Sequence, residues 1–185
     1  LLDRVNKGIL GLKPYEPGKP INETQKELGI KNIIKLASNE NPLGISPKAF
    51  KVISEKKDLN RYPDGNATSF KEVVSQIEKI KTSMITVGNG SNDLIEFVSK
   101  CFLSEGDNAI YSQHGFAIYP LAIKSTGAKA IKAKARDWGH DLNLMKDLVD
   151  ENTKVIFLAT PNNPTGTVLE SSDIEEFLEA IPSNI

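Results

Sequence analysis

Residues 154–166 read Lys-Val-Ile-Phe-Leu-Ala-Thr-Pro-Asn-Asn-Pro-Thr-Gly, and this stretch decides the fold class. Its five consecutive apolar residues, 155–159, are typical of a strand that is covered on both faces, as strands of parallel sheets are. The polar segment that follows contains two prolines, which stiffen the backbone where the strand ends. A buried strand that leads into a stiff polar loop indicates an α/β protein.

Strand and helix patterns alternate on the N-terminal side of this stretch, and a further helix follows it. The other predicted strands are 33–36, 84–87, 108–111 and 129–133. The predicted helices are 22–28, 70–80, 94–102, 119–124 and 174–181, the longer ones from apolar residues at spacings of three and four. This alternation predicts an α/β fold with a mainly parallel sheet. Ligands of such sheets bind beyond the carboxyl ends of the strands, so a binding site is expected in the loops that follow strands.

The composition is that of an ordinary globular domain. Hydrophobic residues make up 39% of the 185, and 23 Lys and Arg balance 24 Asp and Glu for a net charge of −1. These values exclude a disordered chain, and the near-neutral charge provides no electrostatic footprint for nucleic acid or anionic lipid. No window approaches the roughly 18 uninterrupted apolar residues of a membrane span.

The single cysteine, Cys101, cannot form an internal disulfide, so nothing calls for an oxidising compartment. The charged start of the chain lacks the apolar stretch of a secretory signal, and we expect a cytoplasmic protein. The chain begins without Met and stops just after a helical segment, so we expect it to be a piece of a longer protein.

Residues 88–93, Gly-Asn-Gly-Ser-Asn-Asp, lie between a predicted strand and a predicted helix. Two glycines allow a ligand to approach the backbone, and a helix N-terminus offers unpaired N–H groups at a positive dipole end. The loop therefore predicts a site for one phosphate, with Ser91 and Asn92 as further donors. A tight turn capped by either of these side chains is the alternative.

The loop 160–166 holds its two asparagines on a backbone stiffened by Pro161 and Pro164. A neutral amide fixed at the carboxyl end of a strand is suited to donate a hydrogen bond to an oxygen on a ring. The alternative is an ordinary turn, for which this composition is also typical.

Other loops carry polar or aromatic residues of the same kind. Residues 37–44, Ala-Ser-Asn-Glu-Asn-Pro-Leu-Gly, suit a cover over a small carboxylate or phosphate, or form an ordinary strand-to-loop transition. Phe116 follows the strand 108–111 and is either a core residue or an aromatic platform. Tyr15 and Tyr62 are held on proline-containing loops.

No metal site is predicted. His114 and His140 have no Cys or His partners at ligand spacing.

In this order and spacing, these segments resemble the class I/II pyridoxal-phosphate aminotransferases of fold type I. The motifs that carry the resemblance are Pro-Tyr-Glu-Pro-Gly-Lys-Pro (14–20), Lys-Leu-Ala-Ser-Asn-Glu-Asn-Pro-Leu-Gly (35–44), Arg-Tyr-Pro-Asp (61–64), Gly-Ser-Asn (90–92) and Pro-Asn-Asn-Pro-Thr-Gly (161–166). The last is common to many aminotransferases, whereas 35–44 together with 61–64 favours the histidinol-phosphate branch. The resemblance implies an N-terminal arm (1–35) and the N-terminal part of a three-layer α/β/α cofactor-binding large domain (36–185), incomplete in this chain.

The resemblance implies pyridoxal 5′-phosphate as cofactor and assigns the site residues. The implied cofactor-binding residues are Gly90, Ser91, Asn92, Phe116, Asn163 and Tyr62, and the implied substrate-binding residues are Tyr15, Asn41 and Gly44. The helix N-terminus would hold the phosphate, Phe116 would stack on the pyridine ring where the family often has Tyr, and Asn163 would donate to the ring phenolate oxygen. Tyr62 would reach the partner's cofactor across a homodimer interface.

The implied reaction transfers an amino group from L-glutamate to imidazole-acetol phosphate, giving 2-oxoglutarate and L-histidinol phosphate, in either direction. The family's Schiff-base lysine, pyridine-binding aspartate and substrate-binding arginine lie beyond the position of Ile185. No catalytic residue is therefore nominated, and we expect this chain alone to be inactive. Its helices are expected to expose the apolar residues Ile174, Phe177, Leu178 and Ile181.

Two other functions fit the same residues. One is another fold type I enzyme, such as an aromatic aminotransferase or an enzyme like threonine-phosphate decarboxylase. The other is a non-catalytic, truncated paralogue that binds the cofactor or a protein.

Overall fold

A computed structural model describes residues 4–185, which fall into two compact units. Unit 1 combines the chain up to Pro14 with Thr86–Ile185, and unit 2 comprises Tyr15–Ile85. The expected division into 1–35 and 36–185 stays a prediction.

Unit 1 is built around a parallel sheet of three strands in the order β2-β1-β3. The strands are β1 (Asn108–Ser112), β2 (Lys129–Ala133) and β3 (Thr153–Phe157). The described helices are α1 (Ile21–Leu28), α2 (Pro47–Glu55), α3 (Thr68–Glu78), α4 (Ser91–Phe102), α5 (Ile118–Ser125), α6 (Leu142–Asp147) and α7 (Ser171–Ala180). Three predicted strands and the parallel α/β fold class are thereby confirmed.

Both faces of the sheet carry an apolar core, because successive side chains of the central strand point to opposite sides. On one face Ala109 packs with Leu103, Ile123 and Ala128, beneath α4 and α5. On the other face Ile110 packs with a set contributed by β2, α6 and α7, namely Ala133, Met145 and Phe177. Helices on both faces of a parallel sheet give the three layers that were predicted.

Unit 2 contains α1, α2, α3 and irregular connections, and none of its helices buries a residue. The predicted helix 22–28 is confirmed, and it ends at Gly29, which adopts the left-handed conformation with φ of 65°. The predicted helix 70–80 corresponds to α3, whereas α2 was not predicted.

Two predicted strands are wrong. Residues 33–36 and 84–87 form no strand, and Met84 instead ends a short 3₁₀-helix. The side chain of Leu36 is 94% exposed and that of Met84 is 71% exposed. An apolar run becomes a strand only when a neighbouring strand satisfies its backbone, and neither segment is paired in the described sheet.

Phe177 of the last helix, α7, was expected to be exposed, and this prediction is wrong. Phe177 is buried in the core beneath α6 and the sheet, and Ile181 packs against the same cluster. Leu178 is exposed as expected, because it lies on the outer face of α7. The helix therefore covers a face that is present in this chain.

Candidate functional site

Loops from two neighbouring strands meet at the C-terminal end of the sheet, which is the end where its parallel strands finish. β1 leads into residues 113–116 and β3 into residues 158–167. Because β1 pairs directly with β3, the two loops lie side by side. Asn162 joins them: its side-chain nitrogen Nδ2 donates to the backbone oxygen of His114 at 3.1 Å.

The 160–167 loop is closed by its own hydrogen bonds. The N–H of Asn162 donates to the Thr167 oxygen at 2.8 Å, and the N–H of Gly166 donates to the Asn162 oxygen at 2.7 Å. Both X-Pro bonds, Thr160-Pro161 and Asn163-Pro164, are cis. Asn163 is half-buried in this closed loop. A predicted ring-binding amide thus stands on a hydrogen-bonded loop at the expected end of the sheet.

Phe116 is oriented by aromatic neighbours. Its ring meets the Tyr119 ring edge-on, with centroids 6.1 Å apart, and Tyr119 in turn stacks on Phe157 at 4.7 Å. Tyr119 is buried, and this burial raises the pKa of its hydroxyl. Phe116 itself is half-buried, so part of its surface stays available for contact.

The loop before α4 has the backbone geometry of a close-approach turn. Gly90 has φ of 82°, and a Cβ added there would meet nothing within 4 Å, so the requirement for glycine is conformational. At Gly88 a Cβ would lie 2.9 Å from Cβ of Asp93, which leaves no room for a side chain. The N-cap residue of the helix is Gly90, which has no side chain, so the alternative of a turn capped by Ser91 or Asn92 is wrong.

The start of α4 lies towards the same end of the sheet as the two loops. Only residues 103–107 separate the end of α4 from the start of β1, so that end of the helix lies where the strands begin. The 12 residues of α4 span about 18 Å and pack along β3 and α5. A five-residue strand has a similar length of roughly 17 Å. The helix therefore returns its unpaired N–H groups to the C-terminal end of the sheet.

Three residues at this end of the sheet were not assigned a role from the sequence. Asn162 is buried, His140 is buried with its Nε2 2.9 Å from the Ala159 oxygen, and Trp138 packs on the His114 ring at 4.7 Å. Asp137 and Trp138 both adopt positive φ in a tight turn that is closed by a hydrogen bond from Gly139 to Arg136. The repeated Asn in the Asn-Asn-Pro motif was the available signal for Asn162. No pattern in the sequence distinguished the other two.

The remaining predicted site residues lie in unit 2. Tyr62 is fully exposed and Tyr15 is about half exposed. The Asn41 side chain closes its own loop, accepting from the Leu43 N–H at 3.0 Å and donating to the Gly44 oxygen at 3.1 Å. Gly44 has φ of 81°, which this turn requires.

Beside Tyr62, Asp64 organises the start of α3. Its carboxylate accepts from the N–H groups of Asn66 at 3.0 Å and Thr68 at 2.8 Å. Hydrogen bonds from Thr68, with that from Asn66, lower the pKa of this carboxyl to about 2. The Arg-Tyr-Pro-Asp segment is thus attached to a helix by an ionised side chain.

Within residues 4–185, no group of three or more His, Cys, Asp or Glu side chains is arranged to hold a metal ion. None of the helices described in that range is both long enough and apolar enough to cross a bilayer.

Residues 31–185 match the family described as Aminotransferase class I and II. The whole chain is 47% identical to histidinol-phosphate aminotransferase 1 of Idiomarina loihiensis and 48% identical to that of Mannheimia succiniciproducens. It covers 50% of either relative, so it spans about half the length of the curated relatives that it matches.

Solved structures share the fold. Histidinol-phosphate aminotransferase from Sinorhizobium meliloti, solved in complex with pyridoxal-5′-phosphate, matches 98% of this chain with a TM-score of 0.85 and 21% identity. This chain covers 49% of that structure. The enzyme from Clostridium acetobutylicum matches 77% of this chain, and 42% of its own, with a TM-score of 0.66 and 25% identity.

Proposed function

The chain belongs to the aminotransferase class I and II family, and on that premise we propose that it is the cofactor-binding part of a pyridoxal-phosphate-dependent transaminase. The observation that carries the proposal is the junction of the 113–116 and 160–167 loops through Asn162. Ligands of open parallel sheets bind at the end where these loops lie. When bound, pyridoxal phosphate supplies an electron sink for the carbanion at the amino-acid α-carbon.

The proposed reaction exchanges an amino group between L-glutamate and imidazole-acetol phosphate, giving 2-oxoglutarate and L-histidinol phosphate. The identity of 47–48% to proteins named histidinol-phosphate aminotransferase, over all 185 residues, supports this substrate pair. The fold alone would equally suit an aromatic aminotransferase or an enzyme like threonine-phosphate decarboxylase. The family resemblance implies a substrate-binding arginine beyond the position of residue 185, which would act on substrate choice together with the substrate-facing residues of this chain.

The start of α4 fits a cofactor phosphate. The first N–H groups of the helix have no partner within it, and the space in front of Gly90 is open. Ser91 and Asn92 are exposed and offer a hydroxyl and an amide as further donors. The one carboxylate of the first turn, Asp93, accepts from the Asn89 N–H at 2.8 Å. Donors at a positive helix end are the groups that bind a phosphate dianion.

The ring of the cofactor would contact Phe116 and Asn163. The half-buried Phe116 ring offers a face for stacking on the pyridine, and Tyr119 restricts its orientation. The Asn163 amide would donate to the phenolate oxygen of the ring and stabilise its negative charge. Both residues sit beside the atoms that Asn162 joins, which supports their acting on the same ring.

The residues of unit 2 complete the proposal. Tyr62 would bind the phosphate of the partner's cofactor in a homodimer, which suits a side chain that is fully exposed in a single chain. Tyr15, Asn41 and Gly44 would face the substrate. The protein would act in the cytoplasm, with residues 1–35 as an arm and 36–185 as part of the large domain.

A coupled assay tests the reaction. The full-length gene product, loaded with pyridoxal phosphate, is given L-histidinol phosphate and 2-oxoglutarate, and glutamate formation is followed. Turnover with this pair, and at least about tenfold less with aromatic amino acids, is the expected result. Preference for an aromatic amino acid, or no turnover with any amino donor, would reject the proposal.

The proposed role of Tyr62 across the interface is tested with mixed dimers. One subunit carries Tyr62→Phe and the other lacks the Schiff-base lysine. If Tyr62 serves the partner, the site that retains the lysine receives an intact Tyr62 and keeps near-normal cofactor affinity. An affinity equal to that of the Tyr62→Phe homodimer would show that the residue serves its own subunit.

A further inference from the structure

Asn162 differs from the other polar residues of its loop because its side chain is almost fully enclosed. It is 3% exposed, although the loop around it lies at the protein surface. Its Nδ2 donates to the His114 oxygen at 3.1 Å and to Thr165 Oγ1 at 2.7 Å, which uses both hydrogens of the amide. The His114 oxygen is a carbonyl and can only accept, so the nitrogen must be on that side.

The two bonded groups belong to different loops, and each loop is internally rigid. On the β3 side, Thr165 Oγ1 also pairs with Thr167 Oγ1 at 3.1 Å, and Asn162 and Gly166 close the backbone. On the β1 side, the Gly115 N–H donates to the Ser112 oxygen at 2.9 Å. A Cβ at Gly115 would lie 3.0 Å from that oxygen and 3.3 Å from the Tyr119 ring, so this turn has little room to move. The amide of Asn162 therefore sets the distance between two stiff segments.

The other end of the Asn162 side chain shows that packing alone does not explain the residue. Its Oδ1 is buried without a hydrogen-bond partner in the described part of the chain. A buried acceptor without a partner lowers stability, so the residue is a poor choice for a turn that needs only to be stable. Because that atom has almost no accessible surface, the side chain also cannot bind a ligand directly.

We propose that Asn162 is a positioning residue, whose amide holds the 160–167 loop against the 113–116 loop and so fixes Asn163 relative to Phe116. The inference rests on the proposed function, because those two residues are the ones proposed to contact the cofactor ring. Asn163 is covalently next to Asn162, and Phe116 is two residues from its acceptor. Loss of the junction would let the phenolate donor and the stacking ring move independently.

The test compares Asn162→Ala and the isosteric Asn162→Asp with Asn108→Ala in the full-length gene product. Asn108 is the matched control, since it is also 3% exposed and is bonded through its side chain, but at the start of β1. Each protein is measured for pyridoxal-phosphate affinity, for the pH midpoint of the visible absorbance of the bound cofactor, and for urea unfolding. The part of the tryptophan fluorescence that is lost in Trp138→Phe reports on His114, because the rings of Trp138 and His114 are in contact.

Both Asn162 variants are expected to weaken cofactor affinity by about tenfold, to raise the pH midpoint and to shift the emission of Trp138. Asn108→Ala is expected to lower stability at least as much and to leave affinity, midpoint and emission unchanged. If the Asn162 variants do not fold, Thr165→Val decides, because at nearly constant volume it removes the acceptor within the 160–167 loop that orients the Asn162 amide towards the His114 oxygen. The same changes at smaller size are then expected.

Unchanged affinity and midpoint in the Asn162 variants, or in Thr165→Val where they fail to fold, would overturn the inference. Equal changes in Asn108→Ala would overturn it too, since they would trace the effect to stability. A wild-type protein that binds no pyridoxal phosphate would overturn the proposed function and this inference together. If instead the wild-type protein binds pyridoxal phosphate and the variants bind it equally well, only the inference is overturned.

Discussion

The two ends of the parallel sheet each bury an asparagine to the same extent, yet they use it in opposite ways. Asn108 lies where β1 starts, and Asn162 lies beyond the point where β3 finishes. Both are 3% exposed. At the N-terminal end every polar group of the Asn108 side chain is bonded, whereas Asn162 keeps an unpaired oxygen and joins two loops.

The N-terminal end is a closed polar network. Asn108 Nδ2 donates to Asp150 Oδ1 at 2.7 Å, and Thr153 Oγ1 donates to Asn108 Oδ1 at 2.8 Å. The Asn152 N–H donates to the same carboxylate at 2.9 Å. The hydrogen bond from Asn108, followed by that from Asn152, holds the pKa of Asp150 below its ordinary value. The network thus connects β1 to β3 and pairs both the nitrogen and the oxygen of the Asn108 side chain within the protein.

The C-terminal end shows the other arrangement. Among the described residues, two of the three buried side-chain atoms without a partner, His140 Nδ1 and Asn162 Oδ1, lie there. The start of α4 adds N–H groups that no side chain caps. The N-terminal end of the sheet therefore satisfies its polar groups within the protein. The C-terminal end retains polar groups without a partner in the described residues. We expect this division to separate stability from ligand binding.

The largest expected effect concerns the loops at the C-terminal end of the sheet when this chain is studied alone. This 185-residue chain is expected to show no transamination, because its loops are proposed only to bind and orient the cofactor, and none of its lysines matches the catalytic position that the family resemblance implies. The chain is mixed with pyridoxal phosphate and glutamate, reduced with borohydride and mapped by mass spectrometry. Stoichiometric labelling of one lysine together with glutamate turnover would contradict the prediction.

A substitution at the N-terminal end of the sheet should lower the stability of the protein and leave its cofactor affinity unchanged. Asn108→Ala removes the side-chain hydrogen bonds that Asn108 makes to Asp150 and Thr153, which is expected to cost about 2–3 kcal/mol of unfolding free energy. Urea denaturation of the full-length protein measures the loss, and titration with pyridoxal phosphate measures binding. Cofactor affinity that falls by more than about twofold, roughly 0.4 kcal/mol, would show that the two ends are not separate.

Two glycines with positive φ provide a matched pair, one at each end. Gly90 (φ 82°) precedes α4 and Gly106 (φ 100°) precedes β1, and an added Cβ would meet nothing within 4 Å at either. Replacement by Ala costs about 1–2 kcal/mol of backbone strain in each case. Gly90→Ala is expected also to weaken pyridoxal-phosphate affinity about tenfold, because relieving the strain turns the first N–H groups of α4.

Gly106→Ala serves as the control and should leave that affinity unchanged. Fluorescence titration with pyridoxal phosphate measures the affinity of both variants. Urea is added to the more stable variant until the two have the same free energy of unfolding. Equal affinities would show that the α4 turn does not hold the phosphate.

The smallest expected effect is the pH dependence contributed by Asp150. Its pKa is lower in the folded than in the unfolded protein, so the folded state binds fewer protons. The contribution to stability is therefore present above the unfolded value of about 3.9 and is lost as the pH falls below it. Asp150→Asn should flatten the fall of the unfolding free energy in this acid range.

The control for this prediction is Glu179→Gln, which removes a carboxyl from the exposed face of α7. Urea unfolding at several acid pH values distinguishes the two variants. A pH profile of Asp150→Asn that matches the wild type would mean that the hydrogen bonds of the network do not depend on the charge.

Much of unit 1 could be predicted from sequence patterns. The run Val155–Ala159 carries enough consecutive apolar residues to specify a strand covered on both faces, and the shorter apolar segments at 108–111 and 129–133 also predicted strands that the structure contains. The turn at Gly90 followed from glycine beside a helix start. The segments 33–36 and 84–87 have the same apolar character, but pairing is a long-range property, and no described strand lies beside them.

For the candidate site, the sequence by itself determined which loops carry polar groups and which residue types they hold, because turn chemistry and apolar runs are local. It also determined the family, through motifs that keep their order and spacing. Only the tertiary structure decided that Phe177 is buried and that Asn162 joins the loops after β1 and β3. Both outcomes depend on which strands are neighbours, and that is a relation between segments distant in sequence, such as Asn162 and His114.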